Sequence, residues 1–327
     1  MRKKELIAAA IITLVFILLY FFSPKPVEFS PIVSLIIVIL LAMAFVWMFI
    51  RTIRGRLVGR RLVFLLVGIA LLAPFFMQFA LPLQISPEVQ SAYDAMEELP
   101  HGAVVLTAFD YDPPSAPELQ PMAEAFMKYA FKRGFKVIIM GLWPQGPQQA
   151  TQAIEAAMET YPEFRDKIDY GKDYVNLGFQ SGNEFVIVRM GESFKAMFPA
   201  DVYFTPYDSI PMLENVNDFS DVAFAMNFSA GKPGTVEWVQ IAVDRYQLPM
   251  AACNTAVQAP MAYPYLKAKQ LVGLMGGMTG GAEMEELTGE FGKATTFLLS
   301  QSFAHLAVIL FVIIGNCAYF SQKTRKK

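Results

Sequence analysis

Four uncharged apolar stretches constrain this chain more than any other feature. Residues 6–22, 32–50, 62–83 and 297–320 contain no Asp, Glu, Lys or Arg. A helix needs about 18 apolar residues to cross the roughly 30 Å hydrocarbon core of a bilayer. Each stretch reaches or approaches that length, so four transmembrane helices are expected. The first is the shortest and follows basic residues, as the core of a secretory signal does. Its apolar run ends in Tyr20, Phe21 and Phe22 rather than in small residues, and no A-x-A-like site follows, so an uncleaved span is expected. Pro74 falls inside the third stretch, where neighbouring helices can satisfy a freed carbonyl.

Basic residues set the orientation. Arg2, Lys3 and Lys4 precede the first stretch, and Arg51, Arg54, Arg56, Arg60 and Arg61 fill the loop 51–61. Lys323, Arg325, Lys326 and Lys327 lie in the tail 321–327, whereas the connection 23–30 carries only Lys25. With four crossings, all three basic segments fall on one side. The positive-inside rule then predicts a multi-pass cell-membrane protein with both termini cytoplasmic and residues 85–296 outside. That outer part holds 27 Asp and Glu against 14 Lys and Arg, a net of −13. Such a field disfavours nucleic acid and anionic headgroups as partners. Cys253 falls in the outer part and Cys317 in the last apolar stretch, so no disulfide within the chain is expected.

Residues 85–264 alternate between short apolar runs and amphipathic stretches. The runs 103–109, 135–142, 175–179, 222–227 and 249–254 read as strands, and 117–132, 148–161 and 234–246 as helices. This rhythm predicts an α/β, Rossmann-like, doubly wound domain with a mainly parallel sheet covered on both faces. Residues 183–198 fit a strand by their β-branched content and a helix by their length. Residues 265–296 read as a helical, glycine-rich segment leading into the last span. On one helix Gly273, Gly277 and Gly280 would share a face flanked by Gly276, suited to close backbone packing as an interface.

Two stretches carry a family resemblance. Residues 170–179 (YGKDYVNLGF) and 270–283 (QLVGLMGGMTGGAE) resemble a recurring signature of uncharacterised bacterial multi-pass membrane proteins. The resemblance implies no activity and transfers no functional residue.

In open parallel sheets, ligands bind at the carboxyl ends of the strands. Asp110, Asp112, Trp143, Asn227 and Asn254 are the polar and aromatic residues at those ends, and form the expected ligand-binding set. Asp110 and Asp112 are spaced to share a divalent cation, since hard cations take carboxylate oxygens. The same aspartates also fit turn initiation and helix capping. The segment 231–235 opens a helix, where free N–H groups favour an anion or simply start the helix. Cys253 needs a base to be a nucleophile, but the outer part has one histidine, His101, at the opposite end of the strands. His305 is a lone intramembrane histidine.

The expected function is a non-enzymatic binding or scaffold subunit, with no cofactor and no metal. Its partners would be the membrane and other membrane-protein subunits, a homo-oligomer being compatible. The alternative is a hydrolase or transferase using Asp110 and Asp112, with or without a divalent cation.

Overall fold

The computed structural model describes residues 31–55, 58–77, 83–289 and 292–325. It divides into two compact units, Met1–Leu81 with Thr296–Lys327, and Pro82–Thr295. In the first unit, helix α1 (Pro31–Ile53) is followed by α2 (Arg60–Leu72), and a terminal helix covers Lys293–Arg325. Two windows, Ser34–Ile53 and Lys293–Ser321, are long and apolar enough to cross a membrane. Met48 of α1, Leu66 of α2 and Ile314 of the terminal helix form a small buried cluster. Leu35, Leu40, Val46 and Trp47 of α1 remain exposed.

Four spanning helices are not what the described residues contain. The stretch 6–22 lies outside them. In the third stretch the α-helix stops after 13 residues, about 20 Å at 1.5 Å per residue and short of the hydrocarbon core. Pro74, without an N–H, sits in the 3-10 turn Ala73–Phe76 that ends it.

The second unit begins with α3 (Pro87–Glu97) and continues through β1 (Val104–Asp110), α4 (Ala116–Arg133), β2 (Lys136–Gly141) and α5 (Gly146–Thr160). After the short α6 (Phe164–Lys167) come β3 (Tyr174–Phe179), α7 (Glu184–Glu192) and α8 (Phe194–Met197). The second half holds β4 (Phe224–Ser229), α9 (Thr235–Trp238) with its π-helical continuation Val239–Val243, β5 (Met250–Asn254), α10 (Ala259–Lys267), β6 (Gly273–Gly276) and α11 (Gly277–Thr288).

All six strands are parallel, in the order β3-β2-β1-β4-β5-β6. The sheet is buried on both faces, which is why its strands read as apolar runs rather than alternating ones. Successive side chains still divide between two cores. Val105 and Phe109 join Phe126 and Phe228 on one face, while Leu106 and Ala108 join Trp238 and Phe219 on the other. Residues 183–198 are helical because Val186, Ile187, Met190 and Phe194, three or four apart, bury one stripe in the second core.

The expected helical segment from 265 is instead a helix, a strand and a second helix. β5 leaves a free edge, and residues 273–276 pair with it in register Ala251↔Gly273 through Asn254↔Gly276. Gly273 and Gly276 therefore lie in a strand and share no helix face with Gly277 and Gly280, which open α11. Each makes a close approach within this domain. A Cβ on Gly273 would stand 2.4 Å from the Ala92 Cβ of α3, and one on Gly280 would stand 2.8 Å from the Met275 backbone. Gly276 faces Ala259, and Gly277 turns the chain from strand into helix at φ +58°.

Helix α11 also holds both ends of the domain. The Glu283 carboxylate accepts from the Ser86 N–H at 3.0 Å and from its hydroxyl. Glu285 accepts from the N–H groups of Gly292, Ala294 and Thr295 at 2.8–2.9 Å. Lys293 pairs with buried Glu124 at 2.8 Å.

We expect Gly273→Val to destabilise the full chain by about 1–3 kcal/mol, because the new side chain must displace the α3 backbone. Chemical unfolding in mild detergent checks this. An unchanged midpoint would mean that α3 does not press on β6 as described.

Candidate functional site

The strand order reverses between β1 and β4, and at such a switch point the crevice at the carboxyl ends usually receives the ligand. Here it is laced with the chain's own hydrogen bonds. Asp110 ends β1 and is fully buried. Its Oδ1 accepts from the Leu142 N–H at 2.7 Å, and its Oδ2 from Asn227 Nδ2 at 2.7 Å and Trp238 Nε1 at 2.8 Å. Burial pushes the Asp110 carboxyl up to about 7, against the opposing pull of those three donors.

The network runs on across β4 and β5. Asn227 Oδ1 accepts from Thr235 Oγ1 at 2.7 Å, and Thr235 Oγ1 accepts from Asn254 Nδ2 at 2.8 Å. Asn254 Nδ2 also donates to the Ser229 carbonyl at 3.2 Å. Asn254 Oδ1 is buried with no hydrogen-bond partner among the described residues. Three of the five sequence-expected ligand residues, Asp110, Asn227 and Asn254, thus form one connected chain through Thr235.

The other two stand apart from it. Asp112 accepts from the Ser115 hydroxyl at 2.9 Å and starts the turn into α4. Trp143 donates from Nε1 to the Pro233 carbonyl at 2.8 Å, with its ring against Gly231. The open pair of aspartates that a hydrolase or transferase would use is not formed, because Asp110 faces inward and Asp112 is turned to the Ser115 hydroxyl. The start of α9 is occupied from within. Glu237, itself buried, accepts from the Gly234 N–H at 2.9 Å and faces Lys232 at 3.2 Å. An anion there would meet a carboxylate.

Cys253 lies in the core with its sulfur 3.6 Å from that of Met226 and 3.8 Å from that of Met275. Burial pushes its thiol well up. His101 lies against Gly134, just ahead of the amino ends of β1 and β2. Among the described residues, no three His, Cys, Asp or Glu side chains are grouped to hold a metal ion.

Sequence reasoning reached Thr235 only within the helix-opening segment 231–235, and missed Glu237 and Trp238. Thr235 and Trp238 are one helical turn apart, a spacing that places a hydroxyl and an indole N–H on one side of a helix that follows a strand ending in amides. That pattern was available to find them. Comparison with protein-family models, with curated proteins and with solved structures finds no match to this chain.

The network and the buried thiol each carry a testable outcome. Folding raises the Asp110 pKa from 3.8 to about 7, so the folded state holds the proton more tightly than the unfolded chain. The stability this confers is full below the unfolded value and is lost as pH rises through about 7. Asp110→Asn should remove that dependence and lower stability by about 1–3 kcal/mol, since an amide leaves a donor unpaired. Denaturant titrations of parent and variant from pH 4 to 8 measure both; parallel curves would sink the argument. Cys253 should resist a soluble maleimide in the folded chain, in a Cys317→Ser background, and react only on denaturation. Rapid native labelling would show that β5 is not in the core.

Proposed function

We propose that this chain is a membrane-anchored, extracytoplasmic binding or scaffold subunit of a membrane protein assembly, without enzymatic chemistry of its own. The observation that carries the reading is the self-bonded carboxyl edge of the sheet. Where a nucleotide or substrate would enter a fold of this topology, Asp110, Asn227, Thr235 and Asn254 bond one another, and Glu237 takes the Gly234 N–H. A domain that keeps its switch point for internal bonding offers partners its outer surface instead.

The anchoring part of the proposal rests on two helices long and apolar enough to cross a membrane and on the basic segments. The multi-pass form requires crossings also by the apolar stretch 6–22 and by 62–83, the latter with its 13-residue α-helix extended by the 3-10 turn Ala73–Phe76. With them, residues 2–4, 51–61 and 321–327 all lie on the cytoplasmic side and the acidic domain lies outside.

The test has two parts. Val257 is 86 % exposed, so Val257→Cys in a Cys317→Ser background should react with a membrane-impermeant maleimide in intact cells. Labelling only after lysis would reverse the orientation. The chain extracted in mild detergent should run as an assembly larger than one copy. A lone chain at 36.5 kDa plus its detergent would remove the subunit reading.

A further inference from the structure

On the edge strand β3, away from the α3 and α11 segments that hold the ends of the domain beside β6, the chain builds a small hairpin. An antiparallel bridge joins Ala200 to Pro206, and the Val202 N–H donates to the Asn176 carbonyl of β3 at 3.0 Å. Its centre is a buried carboxylate. Asp201 Oδ1 accepts from the N–H groups of Tyr203 and Thr205 at 2.9 and 2.8 Å, and Oδ2 from the Tyr170 hydroxyl at 2.8 Å. The Phe204 N–H donates to the Asp201 carbonyl at 3.0 Å, and the Asp201 N–H to the Thr205 carbonyl at 3.1 Å. The four amides from Asp201 to Phe204, and that of Thr205, are all bound, so the hairpin is rigid.

What this rigid frame displays is apolar. Val202, Tyr203 and Phe204 are 37, 67 and 88 % exposed, and the Tyr203 ring is braced edge-on against Tyr170 at 5.0 Å. Phe204 has φ +63°. In the left-handed region a bulky side chain is strained and glycine is not. A Phe that exposed recovers almost nothing by packing on its own domain. The domain therefore holds a strained aromatic ring in water, the pattern of a residue whose contacts lie in another molecule. Rigid, prepositioned aromatics are the usual anchors of protein interfaces, because little freedom is left to lose on binding.

We propose that the tip 202–204 is a docking anchor for a different protein, one presenting an apolar pocket for an aromatic ring with Lys or Arg on its rim. Charge selects this occupant. A domain of net −13 is repelled by anionic lipid headgroups. A second copy would bring one domain of net −13 against another, whereas a basic rim is attracted. The proposal rests on the binding-subunit reading and names its surface and partner class.

The test uses the full chain in its native membrane, with a photoreactive phenylalanine analogue in place of Tyr203 and, as a control, of Val257. We expect an adduct from position 203 only, with a mass other than twice the chain. Peptide mapping should place it in an apolar pocket bordered by Lys or Arg, and 0.5 M salt should lower its yield several-fold. Adding Phe204→Gly should cut the yield at least tenfold while raising the thermal midpoint, because strain is relieved. An adduct of two copies, adducts to lipid alone, equal labelling from 257, no adduct, or a lower midpoint each overturns the proposal. If the detergent-extracted assembly persists but Phe204→Gly leaves cross-linking unchanged, the anchor alone fails. If no assembly exists, the subunit reading fails with it.

Discussion

A carboxylate taken out of water costs several kcal/mol unless its oxygens find donors. Asp110 finds three, and they come from three different elements: the turn after β2, the middle of β4 and the helix that follows β4. Each donor fixes its own element against β1. Once Trp238 must reach Asp110, Thr235 arrives one turn earlier beside Asn227 and Asn254. The bonding pattern at the switch point is thus a geometric consequence of one buried acid. The hydrogen bonds that hold the centre of the sheet together engage the polar groups with which folds of this topology generally meet a ligand.

The same use of acids recurs through the domain. Glu237 receives a helix start, Asp201 a hairpin and Glu118 the Ala256 N–H at 2.7 Å. Asp221 receives the Asn217 N–H, also at 2.7 Å. The acidic excess is therefore only partly a solvated exterior. Much of it supplies acceptors for backbone amides that turn and loop geometry would otherwise leave unpaired. Basic side chains cannot do this, being donors alone, which gives the charge imbalance of this domain a structural cause.

The sheet and its helices were legible because a parallel sheet buried on both faces writes its strands as short apolar runs. VVLTAFD, KVIIMG and MAACN all read correctly for that reason. Residues 273–276 did not. Their sequence, GLMG, has no β-branched residue, and pairing with the free edge of β5 overrides local preference there. The glycines signalled close approach but not to what; the partner, Ala92, is some 180 residues away and no local pattern points to it. For the site, strand ends located Asp110, Asn227 and Asn254. Whether a polar residue at a strand end faces a ligand or a neighbour depends on the next helix, here on Trp238, and that is a tertiary fact. Helix length near Pro74 is similar: hydropathy runs through the proline without a break, but the hydrogen-bond ladder does not.

Glu283 and Glu285 stand two residues apart on α11 and hold the points where the chain enters and leaves the domain. Tension applied between those points would load the two carboxylates and one turn of helix, with the α3 packing on β6 beside them, before it reached the inner strands. Such a domain resembles a parcel whose two strings are drawn together at one place, so that a pull on either string tightens on the same short helix first.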